Sequence, residues 1–251
     1  MNNKSPSEKI LQWLITAGAD ETIGDEPVNR LAAPAQESRP ASSLQNENLH
    51  SNAAEETGCA SLAKKASTLE ELKEAIFRLD GCPLKETATN MVFGNGNPHA
   101  RLMIIGEAPG AEEDKQGLPF VGASGHLLDL MLASIGLNRS EVYITNILPW
   151  RPPGNRKPSE AETALFTPFV RRHIALIKPD VLLLLGGSAV SALMNTNAGI
   201  TKTRGHWMSY TDGNITVDVM ASFHPAFLLR TPAQKKYAWR DLLAVRKKLS
   251  H

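Results

Sequence analysis

A three-layer αβα fold with a central, mostly parallel four-stranded sheet is the architecture this sequence predicts, and three observations predict it. Aliphatic runs at 102–105 (LMII) and 181–185 (VLLLL) have no polar alternation, the mark of strands buried on both faces of a parallel sheet. Two further strand-like stretches, VYITNIL at 142–148 and ITVDVMAS at 215–222, complete a set of four. Segments with helical periodicity separate the strands, and strand alternating with helix builds a parallel sheet covered on both faces.

In chain order, Ile10, Leu11, Trp13, Leu14 and Ile15 space a short amphipathic helix within residues 1–19, capped by Ser5 or Ser7. Residues 20–66 turn to Ala, Pro, Ser, Asn and Glu with few large apolar side chains. That composition cannot offset the entropy of ordering, so it reads as a flexible linker, with Cys59 an incidental thiol inside it. The compact domain, 67–251, opens with a helix over 68–79, where Thr68 and Glu71 have capping-box spacing and Leu69, Leu72, Ala75, Ile76 and Leu79 share a face. Loop follows to Asn90, then a short strand at 91–93 (MVF) and a turn cluster at 94–98 (GNGNP). The strand at 102–105 closes at Gly106 and gives way to the loop EAPGAEEDKQGLPFVGASG. Ligands of open α/β sheets bind outside the carboxyl ends of strands, so Glu107 and Phe120 stand where a pocket is expected. A helix from Leu127 to Ile135 stops at Gly136; the strand at 142–148 then runs into a proline-rich basic loop, 149–158 (PWRPPGNRKP). A helix over 159–177 leads to the strand at 181–186 and a helix beginning near Ser188. After a turn region through Gly205 come the strand at 215–222, the loop FHPAFLLR (223–230) and a basic helix to the end.

With 251 residues, 42% apolar and 21% charged, the chain suits one sizeable domain plus an appendage. No apolar run approaches the ~20 residues that span a bilayer, which excludes a helical membrane protein. The amino terminus lacks a signal-peptide pattern, so a cytoplasmic protein is expected. Two cysteines, Cys59 and Cys82, are too few for a disulfide scaffold. The net charge of +1 is unevenly divided: residues 1–66 hold 6 Lys+Arg against 9 Asp+Glu, residues 67–150 hold 6 against 11, and residues 151–251 hold 15 against 6. The carboxyl part is therefore basic, as a polyanion-binding face requires, although scattered solvated lysines give the same total.

The loop sequences GEAPG, PFVG, YITN, RPP, ITK-RG and FHPAFLLR, in this order, resemble the uracil-DNA glycosylase superfamily, and the fuller set looks like its family 4. The resemblance covers roughly Leu79 to Leu249. It implies a monofunctional enzyme that flips deoxyuridine out of DNA and hydrolyses the N-glycosidic bond, initiating base-excision repair. Carried over by motif, Phe120 stacks on the flipped pyrimidine and Asn146 pairs with its Watson–Crick edge. A neutral His224 donates to uracil O2 as negative charge accumulates. Glu107 positions or activates water, or supports a cationic sugar. Gly106 and the backbone of Ala108, Pro109 and Gly110 form the pocket floor. Glu113 is either part of a solvated acidic turn or a second catalytic candidate.

For DNA, Leu228 or Leu229 would enter the stack in place of the departed nucleotide while Arg230 holds a phosphate. Backbone amides at Gly187 and Ser188 offer a phosphate site at a helix start, and Arg151, Arg156 and Lys157 add non-specific phosphate contacts. The partners implied are uracil-containing DNA, with residues 1–66 a candidate tether for a repair or replication protein on an otherwise monomeric chain. Two rivals stand beside this reading. One is a DNA-binding relative that recognises uracil or abasic DNA with little turnover, trapping the abasic sugar through a histidine in an inserted basic loop; PWRPPGNRKPSE has neither histidine nor insertion. The other is a nucleotide-binding protein, for which GxxxxGK[ST] is missing.

The sequence departs from this family at one feature. Family 4 enzymes typically hold an iron-sulfur cluster with four cysteine thiolates. At the matching positions this chain has Leu79, Cys82, Trp150 and Phe166, so no cluster is expected and metal ligands are none. The expectation is an apolar plug that fixes the same loops through buried side chains, each contributing about 1.5–3 kcal/mol.

Overall fold

The computed structural model describes residues 58–250; the predicted helix at 1–19 and the linker up to residue 57 lie outside the described residues. The strands are β1 (Asn95–Gly96), β2 (Leu102–Gly106), β3 (Val142–Asn146), β4 (Val181–Leu185), β5 (Trp207–Asp212) and β6 (Ile215–Ser222), in the sheet order β1-β3-β2-β4-β6-β5. β3, β2, β4 and β6 run parallel and are the four strands predicted. Antiparallel β1 and β5 extend the sheet at its two edges to six strands among the described residues.

The helices are α1 (58–65), α2 (Leu69–Phe77), α3 (Pro83–Thr87), α4 (Ala111–Gln116), α5 (Ala123–Ala133), α6 (Glu160–Ile177), α7 (Gly187–Met194), α8 (Ile200–Thr203), α9 (Pro225–Arg230) and α10 (Lys235–Leu249). Alternation along the strands separates two cores. Leu102, Ile104, Val142, Ile144, Val181 and Leu183 face α5 and α10, whereas Met103, Ile105, Tyr143, Leu182 and Leu184 face α2, α6 and α7. All three central strands β2, β3 and β4 are buried along their whole length, which is why their sequences lack polar alternation.

Several local expectations are corrected. Residues 58–66 are not linker: α1 packs Cys59 and Ala63, with Ala66 just beyond it, into the core beside α2 and α6, small side chains allowing close approach where large ones are absent. MVF at 91–93 is not a strand: Val92 N–H donates to the Pro149 carbonyl and the Phe93 carbonyl accepts from the Thr145 hydroxyl, and the ladder forms instead at Asn95–Gly96. The loop before Asn90 contains α3, started by Pro83 at its first turn. The acidic stretch forms α4, and FHPAFLLR forms α9 with His224 as its N-cap. The turn region through Gly205 holds α8, and just beyond it β5 pairs with β6.

The register of the parallel strands places Gly106 beside Asn146, and Leu185 beside Ser222. The loops carrying Glu107, Gly186 and His224 therefore leave the sheet along one edge. β2 lies between β3 and β4, so the chain leaves it in one direction and returns on its other side, which opens a crevice at its carboxyl end.

Candidate functional site

A cavity of about 180 Å³ occupies that crevice, lined among others by Glu107, Ala108, Pro109, Gly110, Phe120, Asn146 and His224. It is smaller than the roughly 300–1,000 Å³ of pockets for drug-sized ligands, and suits one small ring. The four residues expected at the centre are thus brought together: Glu107 just after β2, Phe120 between α4 and α5, Asn146 at the end of β3 and His224 at the cap of α9.

Gly106 shapes the floor by what it lacks. A Cβ there would overlap both Asn146 Oδ1 and the Phe120 ring, so only glycine lets the amide and the aromatic face share the end of β2. Asn146 is 5% exposed, and its Oδ1 is buried without a hydrogen-bond partner. A buried acceptor left unpaired costs about 1–3 kcal/mol, which an incoming N–H would remove.

His224 faces the same space, its ring centroid 5.5 Å from that of Phe120. Its Nδ1 accepts from the Ala226 N–H at 3.2 Å, capping α9. The proton of the neutral ring therefore sits on Nε2, leaving a donor on the imidazole edge not used by the cap. Burial lowers the His224 pKa below 6.5, opposed by the nearby Glu107 carboxylate and assisted by Arg230, so the ring is neutral at pH 7.

The two candidate acids of the loop, Glu107 and Glu113, have separate places. Glu113, 7% exposed, accepts at Oε2 from the Gly110 N–H (3.1 Å) and at Oε1 from the N–H groups of Val121 and Gly122 (2.9 Å each). It is a brace across the pocket wall rather than a solvated turn residue. Glu107 is half-buried on the lining and is the carboxylate whose field reaches His224 most strongly.

The expected DNA contacts divide. Leu228 is 1% exposed and belongs to the core under α9, which corrects its assignment as a wedge; a helix of six residues must bury one face. Leu229 is 43% exposed beside exposed Arg230. Arg156 is paired in a fork to Glu162 at 2.8 and 2.5 Å, and Arg151 lies 3.8 Å from Asp114 while donating to Asn155 at 2.8 Å. Lys157 is exposed, and Gly187 and Ser188 open α7 half-buried.

Sequence reading missed the support behind His224. Asp241 on α10, 1% exposed, accepts from the Ser222 hydroxyl at 2.7 Å and from both Nε and Nη2 of Arg204. The RG pair at 204–205 was a visible signal, but its distant partner on α10 was not.

At the four positions where the family resemblance implies a metal cluster, Cys82, Trp150 and Phe166 are buried in one hydrophobic cluster with Leu79 packed against it. One thiol beside a leucine, a tryptophan and a phenylalanine does not fit a four-thiolate site, and the described residues contain no group of three or more His, Cys, Asp or Glu able to hold a metal ion. No helix of the described residues is long and apolar enough to cross a membrane.

Fold and pocket together define a doubly wound α/β protein with a small cavity at the carboxyl ends of its parallel strands. The sequence profile of the Uracil DNA glycosylase superfamily matches residues 93–243. A type-4 uracil-DNA glycosylase of Thermotoga maritima is 40% identical over 163 residues, covering 64% of this chain and 83% of the relative. Those of Sulfurisphaera tokodaii and Archaeoglobus fulgidus are 39% identical over 184 residues (71% and 84% covered) and 40% identical over 169 residues (66% and 85% covered). The chain belongs to the uracil DNA glycosylase superfamily.

Proposed function

We propose that this chain is a monofunctional uracil-DNA glycosylase that takes deoxyuridine out of the DNA stack and hydrolyses its N-glycosidic bond. The observation that carries this reading is the unpaired, buried Asn146 Oδ1 beside the Phe120 ring. Uracil offers an N3–H donor next to the O4 acceptor, matching the oxygen and the NH₂ of one amide. Cytosine reverses both, leaving the buried oxygen opposite a lone pair. With the ring stacked on Phe120, the Nε2–H of His224 can meet O2, where negative charge gathers as the glycosidic bond breaks. A donor that gains strength only as that charge develops lowers the barrier rather than binding the ground state. Glu107 supplies the negative charge that favours a cationic sugar and a base for the attacking water. No lysine nucleophile lies in the pocket lining, consistent with hydrolysis without strand cleavage.

On the DNA side, Leu229 is the wedge and Arg230 the phosphate contact beside it, with Lys157 and the α7 amides at Gly187 and Ser188 as further backbone contacts. Arg151 and Arg156 chiefly brace their loop. Trp150, Phe166, Leu79 and Cys82 take over the loop-fixing role of a cluster. Residues 1–57 are a tether for a repair or replication protein, on a monomeric, cytoplasmic chain.

The test is release of uracil from a U-containing oligonucleotide by colourless, iron-free protein in the presence of a chelator. The full chain and a chain starting at residue 58 should release uracil equally and leave an alkali-labile abasic site, with only the former retaining a co-purifying partner. No release by the wild-type protein, or a denaturant-resistant adduct in its place, overturns the reading; a visible cluster spectrum overturns the plug.

A further inference from the structure

The segment that carries Phe120 is gripped from two sides by opposite charges. Phe120 has φ +53°, a left-handed conformation that bulky residues rarely hold without outside restraint. On one side Glu113 accepts from the next two N–H groups, Val121 and Gly122. On the other, Arg139, in the loop between α5 and β3, donates from Nη1 to the Pro119 carbonyl at 3.0 Å and from Nη2 to the Phe120 carbonyl. Its Nε donates to Asp129 on α5 at 2.6 Å, which fixes the plane of the fork. Gly125 clears the approach, since a Cβ there would strike the Phe120 carbonyl.

We infer that Arg139 is a positioning residue for the aromatic floor of the pocket: its guanidinium, aligned by Asp129, holds the strained Phe120 backbone and so sets the ring plane on which the base stacks. Arg139 does not line the cavity, so its effect travels through Phe120. Three donors in one rigid plane are needed, and a lysine ammonium cannot replace them. The inference rests on reading Phe120 as the stacking surface.

The experiment compares Arg139→Met, Arg139→Lys and Asp129→Asn in the wild-type and Phe120→Leu chains. It measures single-turnover uracil release, affinity for DNA bearing a tetrahydrofuran abasic analogue, and thermal melting. Arg139→Met should slow release about 10–100-fold, the scale of a misplaced binding surface, with affinity for abasic DNA unchanged. Arg139→Lys should recover only part of the rate, and Asp129→Asn, which keeps the arginine, should fall between. In the Phe120→Leu chain none should slow release further, because effects that act through one group do not add. Equal slowing in both backgrounds, or a loss that follows melting or abasic-DNA affinity, overturns the inference while leaving the glycosylase reading intact. Should Arg139→Met not fold, Asp129→Asn carries the same comparison. Absence of uracil release by the wild-type chain defeats the glycosylase reading itself.

Discussion

At the scale of the residue, the pocket depends on two side chains whose protonation and hydrogen-bonding state the fold decides in advance. Asn146 keeps an acceptor bare at a cost in stability, and His224 keeps its free edge a donor because Nδ1 is occupied by Ala226 N–H. Asn146→Asp retains the acceptor but loses the donor to O4 and introduces a buried charge. It should lower uracil release by about 10²–10³-fold, as should His224→Ala, the scale of one lost transition-state donor. The pH profile follows from the lowered His224 pKa. Protonation of the ring destroys the Nδ1 acceptor that orients it, so single-turnover activity should fall only on the acid side, with a midpoint below 6.5, and be flat from pH 7 to 8. A midpoint above 7 in uracil-release assays would contradict a neutral imidazole.

At the scale of elements, the exit of β6 toward His224 is held by a buried ion pair spanning the residue after α8 and the middle of α10. Burial raises the Asp241 pKa, and the hydrogen bonds from Arg204 and Ser222 oppose that rise. Removing one half leaves the other buried and uncompensated. Asp241→Asn should therefore destabilise by about 3–5 kcal/mol in urea unfolding, and Arg204→Met added to it should recover part of the loss. A double variant weaker than the sum of its singles would refute the pairing. The same elements show what a sequence can reveal. β2, β4 and β6 are legible because burial on both faces or a long β-branched run leaves a local signature, and Thr68 caps the helix that its spacing to Glu71 indicates. β5 is harder: its burial alternates weakly at a sheet edge, although Gly213-Asn214 is a hairpin turn signal. α4, α8 and α9 are short, and α8 ends at Arg204, whose guanidinium donates to the distant Tyr237 carbonyl. The pocket residues are legible through their loop motifs; Arg139 and Asp241, which hold those loops, carry no motif, since only the folded chain places them beside Phe120 and Ser222.

At the scale of the whole molecule, the sheet separates two cores that meet different demands. The face under α5 and α10 supports the pocket loops, whereas the face under α1, α2 and α6 buries Phe166, Trp150 and Cys82 with Leu79 packed against them. Within the second core lies His173, its Nε2 2.8 Å from the Tyr143 hydroxyl and its ring stacked on Phe93 at 4.5 Å. Burial depresses its pKa to about 3 from 6.5. Above pH 6.5 neither state binds the proton, and the full stability is present. As pH falls below 6.5 the unfolded chain takes up a proton that the folded chain refuses, so stability declines until the folded group titrates near 3. The slope approaches about 1.4 kcal/mol per pH unit for this one group. Between pH 6.5 and 5 the wild-type chain should therefore lose on the order of 2 kcal/mol in urea unfolding, with His224 adding in the same direction. His173→Gln keeps a partner for Tyr143 but cannot be protonated, so it should flatten this segment. Glu162, held by Arg156, has its carboxyl depressed to about 2 and adds no proton uptake in this range. Equal slopes for both proteins between pH 6.5 and 5 would mean that His173 is not the core's acid-sensitive group.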